Sequence, residues 1–206
     1  MCYISLQLFI SILDSMLYVF VLYVFILHYI MSTITSIYNE IGSYGPNILI
    51  LISTYLLWDQ NNLFFYYIVG IILDSIINTI LKGIIQEPRP SFNSKEFNLA
   101  LKNNKRFLYK DGLPYDFFGM PSGHASSVIF STIFIYLALR KTKWLYIYLI
   151  ISAIIISQRI VFQHHTIYQV IVGCFTGALF AYFVYQIAEK KMKGRIREKP
   201  DDNGPV

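Results

Sequence analysis

Apolar runs long enough to cross a bilayer leave this chain few ways to fold. Segments 8–31, 64–82, 122–139, 143–158 and 168–188 carry almost no charge, and a spanning helix needs about 20 apolar residues at a rise of ~1.5 Å each. Hydrocarbon offers no partner to backbone N–H and C=O groups, so a spanning segment must satisfy its own, and runs of this length predict helices. A sixth run, PNILILISTYLLW at 46–58, is short. Pro46 suits a first helical turn, and extension back to Ile41 brings the run to spanning length. The expected fold is all-α: an integral-membrane bundle of about six transmembrane helices. It forms one membrane-embedded domain over 1–189, followed by a basic, flexible tail at 190–206. The chain is 55% hydrophobic and only 14% charged, too apolar for a soluble domain of its size. The first run lacks a basic n-region and an A-x-A-like cleavage site, so it reads as a retained helix. Cys2 is terminal and Cys174 lies mid-helix, which predicts no disulfide.

The net charge of +5 raises the question of nucleic acid, and the location of the charge answers it. Six helices put the N-terminus, the 59–62 turn, the 140–143 turn and the tail on one side. That side holds Arg140, Lys141, Lys143, Lys190, Lys191, Lys193, Arg195, Arg197 and Lys199, with Trp58 and Trp144 at helix ends. By the positive-inside rule it is cytosolic. The tail reads as a topology anchor touching anionic lipid, not as a nucleic-acid arm. The expected partners are the membrane and a lipid phosphate.

The opposite face carries 32–45, the polar stretch 83–121 and the junction 159–167. Three clusters meet there: KGIIQEPRP at 82–90, GMPSGHAS at 119–126 and SQRIVFQHHTIYQ at 157–169. Each alone has a structural explanation, as interfacial cations, a capped helix start or an interfacial His pair. Their joint order and sidedness point to an anion site. Phosphoryl transfer relies on positioning and on stabilising charge spread over equatorial oxygens. Lys82, Arg89 and Arg159, with helix N–H groups near Ser122 and Gly123, supply such a cradle. Of the histidines, one can attack phosphorus while another protonates the leaving oxygen. Asp74, Asn78 and Lys82 fall at i, i+4, i+8, one polar stripe on which Asn78 is expected to hold the lysine. The connector 91–118 is expected over the headgroup, its Lys and Arg residues available to a second phosphate. Gly173, Gly177 and Ala181 form a small-residue ridge for packing. Asp14 has no assigned role. No carboxylate or His cluster on this face suits a metal, so neither metal nor other cofactor is expected.

These motifs resemble the type 2 phosphatidic acid phosphatase family. Lys82 to Arg89-Pro90 matches K-x6-RP, 121–124 match PSGH, and Arg159 to His165 matches R-x5-H, in the family's order, within about Asn78 to Gly177. The resemblance implies a metal-independent enzyme with a phosphohistidine intermediate. Its nucleophile is His165, chosen over His164 by the spacing from Arg159, and its proton donor is His124. Lys82, Arg89, Ser122, Gly123 and Arg159 hold the phosphate. Two departures stand in the third motif, usually S-R-x5-H-x3-D: Gln158 replaces Ser and Gln169 replaces Asp. In the family that Asp accepts a hydrogen bond from the nucleophilic imidazole. Gln169, one turn beyond His165, can still accept it, so orientation survives and the charge does not. IQEPRP, GMPS, H-T-x-x-Q-V and Asn78 look like the dolichyl diphosphatases, which act at the luminal face of the endoplasmic reticulum. The expected function is hydrolysis of a lipid phosphate or diphosphate, with polyprenyl (dolichyl) diphosphate as lead substrate. The site then faces away from the cytosol in the endoplasmic reticulum or an equivalent membrane, with the tail cytosolic. Phosphatidate or a related glycerolipid phosphate is the alternative substrate, and a non-catalytic lipid-binding relic is the alternative class.

Overall fold

The computed structural model describes the backbone of residues 2–110 and 113–197, with side chains at 21–107, 109 and 116–192. The side chains of Cys2, Asp14 and the tail cations from Lys193 onward lie outside the described residues. Six helices run in order: α1 (Cys2–Leu57), α2 (Asn61–Ile85), α3 (Ser94–Lys102), α4 (Gly123–Leu139), α5 (Thr142–Val161) and α6 (Ile167–Arg197). A hairpin of β1 (Phe107–Lys110) and β2 (Leu113–Asp116) lies between α3 and α4. Contacts divide the chain into two compact units, Met1–Glu40 and Ile41–Val206.

The bundle is helical and membrane-integral as expected and has six helices, but they are not the six expected. The runs 8–31 and 46–58 are one continuous helix, and 32–45 is not a connector. The polar residues there satisfy themselves on the helix: Thr33 Oγ1 donates to Tyr29 O at 2.9 Å and Thr35 Oγ1 to Met31 O at 2.8 Å. A hydroxyl bonded back to its own preceding turn adds no reason to leave the helix. Pro46 sits inside α1 and removes one ladder donor without ending the run. Among the described residues, four helices are long and apolar enough to span, at 21–57, 61–85, 142–161 and 167–192, and α4 is a shorter apolar helix of 17 residues.

Helix α4 packs against α2, α5 and α6. Lipid tails are as apolar as leucine, so helices associate through close packing and hydrogen bonds. The small-residue ridge of α6 serves the first. A Cβ on Gly173 would lie 2.5 Å from Ser122 O, and one on Gly177 would collide with the Ser126 carbonyl. Buried hydroxyl pairs serve the second: Tyr67 Oη with Ser131 Oγ (2.9 Å), Thr132 Oγ1 with Ser152 Oγ (3.0 Å), and Ser126 Oγ donating to Asp74 Oδ1 (2.7 Å). These tie α4 to α2 and α5, each worth on the order of 0.6 kcal/mol. They fix its rotation.

The connector 91–118 is folded. Asn93 Oδ1 caps α3 by accepting from Lys95 N at 3.0 Å, and Phe97, Ala100, Phe117 and Phe118 form a small core of their own. Arg106 is not available to a second phosphate as expected: it donates to Asp116 Oδ2 (3.0 Å) and Thr79 O (2.8 Å). Lys95, Lys102 and Lys105 remain exposed.

Candidate active site

The first motif begins where α2 ends. Gln86 closes the helix in the left-handed region (φ 53°), its N–H bonded to Lys82 O. Glu87 and Arg89 each precede a proline, which disfavours the helical region and extends the chain. Residues two apart on an extended chain face the same way. This strip lies antiparallel to 116–119, with Arg89 N donating to Phe117 O (3.3 Å) and Gly119 N to Glu87 O (2.6 Å). Lys82, 7% exposed, donates from Nζ to Phe118 O at 2.9 Å, and Arg89 Nε donates to Asp116 O at 2.8 Å. Asp116 in turn accepts from Phe118 N (3.0 Å) and pairs with Arg106. Asp116 and Arg106 thus hold the strip that seats both cations. Sequence reading missed them, since neither belongs to a motif. Asn78 does not hold the lysine: Lys82 Nζ donates to Phe118 O instead, and the Asn78 Nδ2 is buried with no partner among the described residues.

The second motif meets the third at the start of α4. Ser122 caps the helix in an extended conformation, and its backbone N–H donates to Gln169 O at 3.0 Å. That N–H is therefore engaged by α6, contrary to the expectation that it points at an anion. The Ser122 Oγ is buried with no partner among the described residues. Gly123 opens α4, whose first-turn N–H groups have no intrahelical acceptor. His124 Nε2 lies 3.2 Å from Ser43 O. A carbonyl only accepts, so this nitrogen carries the proton.

At the end of α5, Arg159 O accepts the N–H groups of His164 (3.0 Å) and His165 (3.1 Å), folding the junction back on the helix. His164 is half-buried and stacks on Phe162, centroids 6.4 Å apart, while His165 is 3% exposed. Arg159 is buried and donates to Gln158 Oε1 at 3.4 Å. Gln158, the first departure, fills the space left by the missing side chain of Gly42.

Gln169 is fully buried and makes four side-chain hydrogen bonds. Its Oε1 lies 3.2 Å from both His165 Nδ1 and Thr166 N, and its Nε2 lies 2.8 Å from both Glu87 Oε1 and Pro88 O. A carboxylate and a carbonyl demand a donor, which fixes the amide orientation, and Oε1 then accepts from His165 Nδ1–H. The lone pair of His165 is left on Nε2. The expected orienting bond is present. Glu87 was not expected, and its only signal is an acid inside a basic motif.

Burial pushes the His165 pKa down, and the nearby positive charges of Arg89, Lys82 and Arg159 push it further, to about 2, against the opposing bond from Gln169. Cations from the first and third motifs therefore converge on one neutral imidazole. Among the described residues, no group of three or more His, Cys, Asp or Glu is placed to hold a metal ion.

A sequence model of the PAP2 superfamily matches residues 63–193, more than half of the 206-residue chain. The chain belongs to the PAP2 superfamily. The fold is similar to the crystal structure of the first transmembrane PAP2 type phosphatidylglycerolphosphate phosphatase from Bacillus subtilis, with a TM-score of 0.51 and 20% identity over 76% of each chain. Among curated proteins, none matches the sequence. The PAP2 match contains every motif residue from Lys82 to Gln169.

Within this PAP2 site, Gly119 leaves room for the Gln169 amide. A Cβ there would lie 2.5 Å from Oε1 and 2.7 Å from Nε2. Gly119→Ala is expected to displace the amide and lower phosphate release from the purified protein by about tenfold, the equivalent of one ~1.4 kcal/mol interaction. An unchanged rate would contradict this placement.

Proposed function

We propose that the chain is a membrane phosphatase that hydrolyses a lipid phosphate or diphosphate through a phosphohistidine intermediate. The observation that carries this reading is the neutral His165, its Nδ1–H held by Gln169 and its Nε2 lone pair left over, within the field of Lys82, Arg89 and Arg159. His165 Nε2 attacks phosphorus and forms the N–P bond. The P–O bond to the lipid breaks as His124, protonated on both nitrogens once the anionic phosphate is bound and with Nε2–H held by Ser43 O, gives its Nδ1 proton to the leaving oxygen. Water then attacks the phosphohistidine, His124 takes back a proton, and phosphate departs. Lys82, Arg89 and Arg159, with Ser122 Oγ and the N–H groups that begin at Gly123, hold the equatorial oxygens. The charge comes from side chains, so the reaction is metal-independent.

The lead substrate is polyprenyl (dolichyl) diphosphate, supported by the form of the three motifs. Phosphatidylglycerolphosphate is the second reading, favoured by the fold likeness to a phosphatase named for it. The tail is placed in the cytosol and the site on the opposite face of the endoplasmic reticulum or an equivalent membrane, supported by the basic residues of the 140–143 turn and the tail. The test is phosphate release in EDTA from a panel of dolichyl diphosphate, phosphatidylglycerolphosphate and phosphatidate. Activity is expected to persist in the chelator and to be inhibited by vanadate. Activity abolished by EDTA and restored by magnesium would overturn the metal-independent mechanism. A folded protein that releases phosphate from none of the three would be a lipid-binding relic.

A further inference from the structure

We infer that Glu87 is a positioning residue for His165, acting through the Gln169 amide and supplying from the first motif the negative charge that Gln169 lacks. This deepens the phosphohistidine reading and rests on it for the kinetic part of its test.

The geometry is a chain of two hydrogen bonds: His165 Nδ1–H to Gln169 Oε1 (3.2 Å), then Gln169 Nε2–H to Glu87 Oε1 (2.8 Å). An amide bonded through its N–H to a carboxylate is polarised. Electron density moves to its oxygen, which becomes a stronger acceptor, as in any hydrogen-bond chain in a low dielectric. Bonds to an ionised acceptor are also the stronger ones. Pro88 O shares the same nitrogen at 2.8 Å and fills its second donor, so the amide cannot turn over without setting its oxygen against two acceptors.

The need for such a group is visible in the charges. Arg89, Lys82 and Arg159 all oppose a positive imidazole, yet the ring becomes positive when Nε2 bonds phosphorus and Nδ1 keeps its proton. A carboxylate connected to Nδ1 offsets that opposition. Asp116 is already engaged with Arg106 and with Phe118 N. Glu87 is the acid whose carboxylate reaches Gln169. Its backbone is fixed between the left-handed Gln86 and Pro88 and bonded through its carbonyl to Gly119 N. The charge thus sits on the same strip as Arg89.

The test pairs kinetics with a readout that needs no turnover. Glu87→Gln keeps an acceptor for the amide but removes the charge. It is expected to lower kcat about tenfold with KM within about twofold, and to be silent within about twofold in a Gln169→Leu background, because the path runs through that amide. Wild-type kcat for Glu87→Gln, or equal losses in both backgrounds, would overturn the proposal. In detergent micelles, 15N spectra of histidine-labelled protein, assigned with His165→Ala, are expected to show His165 as the Nδ1–H tautomer. Glu87→Ala should give a mixture of tautomers, and an unchanged spectrum overturns the role. If the unsubstituted chain releases no phosphate while the tautomer shifts, the proposed function fails and the positioning role stands.

Discussion

His165→Ala is expected to abolish the phosphoenzyme and to lower phosphate release by about a thousandfold or more, the scale on which removal of an attacking group is felt. His164→Ala should keep most activity. The two differ in placement: His165 is buried with its Nδ1 held by Gln169, whereas His164 is half-buried and stacked on Phe162. Trapping radiolabelled phosphate as an acid-labile, alkali-stable adduct distinguishes them, and label on His164 would overturn the assignment. The pKa adds a check on sign. A histidine held at about 2 stays neutral and nucleophilic well below 6.5, its ordinary value. Any acid limb of kcat/KM near pH 6 in the free protein must then belong to another group or to the substrate. A His165 ring that takes up its proton near pH 6 in an NMR titration would contradict this.

Gln169→Leu is the second large effect. Leucine is close in volume but leaves the Glu87 carboxylate, Pro88 O, Thr166 N–H and His165 Nδ1–H without their shared partner. Each lost bond is worth on the order of 1 kcal/mol in the ground state, and the imidazole bond is worth more as the ring gains charge. At ~1.4 kcal/mol per decade of rate, activity should fall by about tenfold to a hundredfold. Steady-state release of phosphate measures it. A wild-type rate would mean that the third motif is misaligned.

Much of this was legible in the sequence, for a physical reason. Lys82, Ser122, Gly123, His124, Arg159, His165 and Gln169 lie at or beside helix ends and Arg89 on the short strip after α2, where spacing along the chain translates into position. Most of what stayed hidden depends on partners distant in sequence, and one part is local. Hydropathy measures apolar length and not continuity, so the threonines that bond back onto α1 read as a connector. Arg106 looked like a loose surface cation because its acceptors, Asp116 and Thr79 O, are supplied by a strand and a helix. The Ser122 N–H looked open because the carbonyl that takes it belongs to α6. Glu87 could be recognised only once Gln169 stood beside it.

The tight seat of the Gln169 amide over Gly119 makes three positions answer for one another as related sequences drift. Aspartate at 169 is shorter by a methylene and has no N–H. It would open enough space for alanine at 119 and set two carboxylates against each other at 87. Residues 87, 119 and 169 are therefore expected to covary. An acid at 87 should accompany glutamine at 169 and glycine at 119, and a neutral residue at 87 should accompany aspartate at 169.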